Sequence, residues 1–201
     1  MNSESIPEYK IILASNSSIR QKILEDSGIS FEVVPSEVEE EELKQSLSSN
    51  NFREYCLALA KAKALDVSNK KKNAYVIGSD QICCYGEEIF SKPLTKENCF
   101  KTLSKLSGNT HYQNCGISIC KNGKEIWSHY AQAALTMKSL SDTDIRDYID
   151  KDEPFMACGA YRFESFGKDL FLTTKGDETT IQGLTLNPII NFLTSKKVIN
   201  L

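Results

Sequence analysis

Three observations predict an α/β domain, a sheet flanked by helices with antiparallel strands added to it. Short apolar runs, Lys10-Ile11-Ile12-Leu13-Ala14 and Tyr75 to Ile77, read as buried strands. Segments of helical period, Ile19 to Ser27 and Phe52 to Val67, lie between them. Two alternating stretches, Tyr112 to Cys120 and Glu125 to Tyr130, flank Asn122-Gly123, a hairpin signal. At 201 residues the chain suits one well-buried domain, read as residues 10–201 behind a polar tail of residues 1–9.

Taken in order, the first strand runs into Ser15-Asn16-Ser17-Ser18, a hydroxyl-rich turn able to cap the helix that Gly28 stops. Arg20 lies in that helix's first turn, where the helix end is already positive. Backbone donors, hydroxyls and a guanidinium can form an anion cradle there; a plain capped helix with a solvated arginine is the simpler reading of this stretch alone. Phe31 to Val34 is a second strand, leading into the acidic Glu37-Val38-Glu39-Glu40-Glu41-Glu42. Such a run is a solvated face or a source of oxygens for a divalent cation. A polar linker, Lys44 to Asn51, precedes the helix Phe52 to Val67, whose apolar face is read through Leu57, Ala60 and Ala64.

The centre of the chain is Val76-Ile77-Gly78-Ser79-Asp80-Gln81, followed by the turn Tyr85-Gly86-Glu87 and by Lys92. Gly78 is read as ending the strand where backbone must approach something closely. Asp80 then sits at a strand end, where open α/β sheets collect ligands; a turn or helix cap is the other role of such an aspartate. Thr95 caps a helix Lys96 to Leu106 ended by Gly108. After the hairpin, Ala131 to Leu140 is read as a further strand, and Ser141-Asp142-Thr143-Asp144 as a capping box opening a helix to about Asp150. Leu170 to Thr174 is a strand, Gly176-Asp177 a turn, and Leu186 to Leu193 the start of a last helix.

Composition bounds the function. A net charge of -3 argues against broad nucleic-acid binding, and no apolar run is long enough for a membrane span. The polar, acid-containing N-terminus is unlike a secretory or transit peptide. Seven dispersed cysteines without a C-x-x-C read as reduced buried thiols of a cytoplasmic protein. Phosphate-loop, dinucleotide, nucleophile-elbow and zinc-protease motifs are absent from the sequence. His111 and His129 lack evident partners and read as structural; Trp127 reads as a packing residue of the hairpin.

In order and spacing, Leu13-Ala14-Ser15-Asn16-Ser17-Ser18-Ile19-Arg20, Glu37-Val38-Glu39-Glu40, Leu59-Ala60-Lys61-Ala62-Lys63-Ala64, Ile77-Gly78-Ser79-Asp80, Ser91-Lys92-Pro93, Leu106-Ser107-Gly108 and Gly183-Leu184 resemble the Maf family of nucleoside triphosphate pyrophosphatases. The resemblance spans about Lys10 to Leu193. It implies the Maf/Ham1 (ITPase-like) fold: a central mixed sheet flanked by helices, with a cleft between two lobes. Wording around Ile77-Gly78-Ser79-Asp80-Gln81-Ile82-Cys83, and Glu164 in Cys158 to Gly167, are similar to the 7-methyl-GTP pyrophosphatase branch.

The resemblance implies a mechanism and its residues. Asp80 would act as general base on a water attacking the α-phosphorus, releasing pyrophosphate and a nucleoside monophosphate. Glu40 and Asp80 would hold a divalent metal, Mg2+ or Mn2+, while Ser15, Arg20, Lys61 and Lys92 hold phosphates. Ile19, Gln81 and Glu164 would set base choice. A carboxylate such as Glu164 accepts both donors of guanine's Watson–Crick edge, and its charge suits an N7-methylated ring; a loop carboxylate bound to backbone is the plainer reading. Ile19 departs from both branches, which carry tryptophan or arginine there, and Ser18 stands for the usual proline. The family also implies a homodimer acting on nucleotide, with no nucleic-acid or membrane partner. Rival expectations are a UTP/TTP-type or ITP/XTP-type pyrophosphatase, or a non-catalytic nucleotide sensor in cell-division control.

Overall fold

A computed structural model describes residues 10–40, 42 and 51–200. The linker read at Lys44 to Asn51 therefore falls outside the described residues except for Asn51. The elements are β1 (Lys10–Leu13), α1 (Ser18–Asp26), β2 (Glu32–Val33), α2 (Phe52–Lys70), β3 (Ala74–Tyr85), β4 (Glu88–Phe90), α3 (Lys96–Leu106), β5 (Thr110–Lys121), β6 (Lys124–Met137), α4 (Asp142–Asp152), a 3-10 turn Phe166–Leu170, β7 (Phe171–Lys175), α5 (Glu178–Ile181) and α6 (Leu186–Ser195). Seven strands form one mixed sheet, ordered β2-β1-β3-β5-β6-β7, with β4 also paired to β3. β1, β2 and β3 are parallel, and the rest antiparallel.

Local chemistry places the boundaries. Thr95 Oγ1 accepts from the Asn98 N–H at 3.2 Å, starting α3 at Lys96. Ser141 and Asp144 exchange side-chain and backbone bonds as a capping box, and α4 follows. Asn122 and Gly123 adopt φ of 53° and 75°, the left-handed pair that a tight β5–β6 hairpin demands. Beyond it β6 runs unbroken to Met137, so the strand expected separately from Ala131 is its second half. Continuous pairing with β5, down to Thr110 opposite Thr136, leaves no reason for a break.

Both faces of the sheet are covered, so β3 carries apolar residues on each. Val76 packs under α2, and Ile77 packs on the opposite side with Ile23, Leu24 and Ile189. On that second face a separate cluster joins Leu103 and Leu106 of α3 and Ile145 and Ile149 of α4 to Leu135 and Met137. Trp127 stacks on Phe192 with ring centroids 5.1 Å apart, a packing role.

Gly78 does not end β3. The strand continues to Tyr85 because β5 pairs with it without interruption from Val76↔Cys120 to Cys84↔Tyr112. What approaches Gly78 is helix α2: a Cβ there would lie 2.2 Å from the Ala60 carbonyl oxygen. Gly116, facing the same helix, would place a Cβ 2.5 Å from the Cys56 carbonyl carbon. Two glycines on neighbouring strands thus let α2 rest directly on the sheet.

Candidate active site

The site begins as a gap in the sheet. On its outer edge β3 is paired by β1 only to Ile77 and by β4 only from Cys83. Across residues 78–82 the edge is open, and a cleft of about 1060 Å³ lies over it, at the upper end of ligand clefts. Asp80 therefore stands mid-strand, yet beside an opening of the kind expected at a strand end.

Helix α2 delivers the partner of Asp80. With α2 seated on Gly78, Lys63 Nζ reaches Asp80 Oδ1 at 2.7 Å and Glu40 Oε1 at 2.9 Å. The Lys63 and Asp80 side chains are each only 11% exposed, against 40% for Glu40. Oδ2 of Asp80 accepts no bond among the described residues and is left for a ligand or water. Lys61, two residues earlier, lies on another face of the helix, 2.9 Å from Glu125 of β6 and outside the cleft lining. The expected phosphate-holding role of Lys61 thus meets a correction: 100° per residue turns it away, and Lys63 stands at the site. The face through Cys56, Leu59, Ala60, Lys63, Ala64 and Val67 is the buried one; Leu57 is half-buried.

Ser15 and Arg20 line the cleft but spend their polar atoms on the fold. Ser15 Oγ accepts from the Ser17 N–H at 3.2 Å. Arg20 donates from Nε to Gly183 O at 2.7 Å and from Nη1 to Ser79 O at 2.9 Å. Nη2 alone makes no hydrogen bond among the described residues. Arg20 so clamps the loop before Leu184 to the open edge of β3. Lys92 is exposed at the cleft wall and makes no ion pair among the described residues. The loop that carries it is pinned two residues later by the Leu94 N–H to Phe155 O, 3.0 Å.

Ile19, Gln81 and Glu164 also line the cleft. Ile19 is half-buried against the α1–α6 cluster. Gln81 donates through Nε2 to Thr180 O at 3.1 Å and Ile181 O at 2.6 Å. Glu164 lies 3.5 Å from Arg162 Nε with its side chain 24% exposed. Gln113 also lines the cleft and carried no signal in the sequence. Lys63 did carry one, since its helical spacing from Cys56, Ala60 and Val67 puts it on the buried face.

No thiol supplies a nucleophile among those that burial perturbs. Burial pushes Cys56, Cys83, Cys84 and Cys120 up, and Cys99 to about 11. His111, fully buried, is pushed down to about 4 by desolvation, so it stays neutral at pH 7.

Cations lining the cleft are Arg20, Lys63, Lys92 and Arg162; the carboxylates are Glu39, Glu40, Asp80, Glu153 and Glu164. Acids thus match or exceed bases, so a polyanionic ligand finds no surplus positive charge in the protein alone. That balance fits a ligand arriving with its own cation. Among the described residues no group of three or more His, Cys, Asp or Glu stands ready as a metal cage. Two carboxylates on one ammonium instead match the way Mg2+ is held, by one or two carboxylates plus substrate phosphates.

The Maf-like protein family matches residues 10–196. A nucleoside triphosphate pyrophosphatase of Legionella pneumophila (strain Corby) is 40% identical over 199 residues, covering 99% of this chain and 100% of the relative. A 7-methyl-GTP pyrophosphatase of Brucella abortus is 37% identical over 195 residues, 95% of this chain and 98% of the relative. Among solved structures, the Staphylococcus aureus Ham1 protein superposes with a TM-score of 0.47 at 16% identity, covering 93% of this chain and 99% of that one. By the family match and by relatives aligned over nearly their whole length, the chain belongs to the Maf family.

Proposed function

We propose that this enzyme, a hydrolase of acid anhydrides, cleaves nucleoside triphosphates between the α- and β-phosphates, with 7-methyl-GTP as its preferred substrate. The observation that carries the reaction is the Lys63-bridged pair of Asp80 and Glu40 on the open edge of β3. Lys63 fixes Asp80 through Oδ1 and leaves Oδ2 to take a proton from water. A carboxylate so placed needs no covalent step: phosphoryl and nucleotidyl transfer rest on positioning and charge. Lys92, at the cleft wall, meets the phosphate tail. Arg20 holds the Gly183 loop and the β3 edge in register and offers Nη2 to an anion.

Glu40 and Asp80 would hold a Mg2+ or Mn2+ ion, which when bound supplies positive charge to the triphosphate oxygens. The 7-methyl-GTP preference rests on Glu164 in the cleft and on the Brucella relative's name.

Pyrophosphate release is the test, measured with 7-methyl-GTP, GTP, UTP, TTP and ITP in the presence of Mg2+. Asp80→Asn is expected to remove nearly all turnover while the unfolding midpoint stays measurable. An Asp80→Asn enzyme with wild-type rates would refute the base role. UTP and TTP outrunning 7-methyl-GTP widely would refute the specificity and leave the reaction standing.

A further inference from the structure

The deepest polar group in the cleft wall is one that the reaction described above does not use. Gln113 stands on β5 opposite Cys83 of β3, is 1% exposed, and lines the cleft with Gln81, Cys158 and Tyr161. Its amide orientation is fixed by what surrounds it. Nε2 lies 2.8 Å from the Tyr161 hydroxyl and 3.3 Å from the Cys158 carbonyl oxygen, and a carbonyl accepts only. The NH2 end must therefore face Cys158. Oε1 of Gln113 is then buried with no hydrogen-bond partner among the described residues.

The network behind it turns no donor to Oε1. The Tyr161 hydroxyl accepts from Gln113, so its own proton goes to His111 Nε2, 2.9 Å away. His111 is neutral and its Nδ1 is the other buried atom without a partner. Leaving a buried amide oxygen unpaired is destabilising, so such an atom in a binding cleft calls for an explanation.

Gln81 points the same way. Both of its Nε2 contacts are carbonyls, Thr180 O and Ile181 O, so its only group left for a ligand is the acceptor Oε1. Glu164 adds a carboxylate. This wall thus presents three acceptors and, from these residues, no free donor. Uracil and thymine show one N–H between two carbonyl oxygens. Guanine shows an N–H and an amine side by side.

We infer that Gln113 is a specificity-determining residue whose Oε1 accepts an N–H from the Watson–Crick edge of a guanine-type base. The inference rests on the nucleoside triphosphate reading above and extends it to a residue and an atom.

The test is a cycle between ligand and protein. Values of kcat/KM are measured for GTP, ITP (no 2-amine), 1-methyl-GTP (no N1–H) and UTP, on wild type, Gln113→Leu and Gln113→Glu. In the wild type, deleting the donor that Gln113 receives should lower kcat/KM about tenfold, the worth of one buried hydrogen bond. In Gln113→Leu that penalty should vanish. Gln113→Glu keeps an acceptor of the same shape and should keep the penalty. If neither analogue's penalty depends on residue 113, the inference fails and the pyrophosphatase reading stands. If wild type releases pyrophosphate from none of the four, nor from 7-methyl-GTP, both fail. Should Gln113→Leu not unfold cooperatively, Gln113→Glu decides: a GTP-to-UTP ratio at least as high as wild type supports the role, and a fall toward unity overturns it.

Discussion

Replacing Lys63 by methionine, beside the same change at Lys61, separates two lysines that a reader of the sequence could exchange. Lys63 Nζ holds two carboxylate oxygens, at 2.7 and 2.9 Å, and its side chain and that of Asp80 are each 11% exposed. Removing one partner of a nearly buried pair leaves the other's charge without compensation, and costs about 3 kcal/mol. For a chain of this size that corresponds to a fall in melting temperature of roughly 6–12 °C. Turnover should drop by about two orders of magnitude or more, because Asp80 loses the bond that orients it. Lys61 is 48% exposed and its partner Glu125 26%, so Lys61→Met should cost no more than about 1 kcal/mol. Its kcat/KM should stay within about threefold of wild type, as a surface pair away from the chemistry should. The assays are urea unfolding at pH 7 and pyrophosphate release. A Lys61→Met enzyme that is dead while Lys63→Met is healthy would refute the placement of α2 on the sheet.

Three further outcomes are expected. Gly78→Ala would drive a methyl into the Ala60 carbonyl, where a Cβ lies 2.2 Å from the oxygen, and should destabilise by about 1–3 kcal/mol or more in urea. It should also cost activity, since lifting α2 moves Lys63. His111 is held at about 4 against 6.5 by burial, so the unfolded chain binds the extra proton between those values. Stability should therefore fall by about 3 kcal/mol as pH drops from about 7 to 4, beyond the slope of a His111→Gln variant measured beside it. Equal slopes would contradict a buried neutral imidazole. Chelation with EDTA should abolish pyrophosphate release, and added Mg2+ or Mn2+ should restore it; release undiminished by chelation would remove the metal from the proposal.

Much of the fold is readable from the chain because local chemistry speaks for it. Thr95, the Ser141–Asp144 box and Asn122-Gly123 name their elements without tertiary help. The failures have one cause, that a strand's extent is decided by its neighbour. Gly78 looks like an end, but β5 keeps β3 going; Ala131 looks like a start, but the same partner makes it a continuation. Gly78 does mark a close approach, and the approaching body is helix α2, which the local sequence does not name.

The site divides in the same way. Asp80, Glu40, Ser15, Arg20, Lys92, Ile19, Gln81 and Glu164 all line one cleft although they come from widely separated stretches. Lys61 and Lys63 differ by two residues, and the motif containing both does not say which faces inward. Helical phase does: Lys63 shares a side with Cys56, Ala60 and Val67. Gln113 was invisible because a glutamine in an alternating strand reads as an exposed position. Only the loop bearing Cys158 and Tyr161, folded over it from far along the chain, makes it an interior residue.

The most direct measurement of the central claim follows the water oxygen. Turnover in 18O-labelled water, with both products weighed by mass spectrometry, reports which phosphorus is attacked. Attack on the α-phosphorus by a water that Asp80 deprotonates predicts label in the nucleoside monophosphate, none in pyrophosphate, and no labelled product from Asp80→Asn. Label in pyrophosphate, or release of a nucleoside diphosphate with inorganic phosphate, would contradict it.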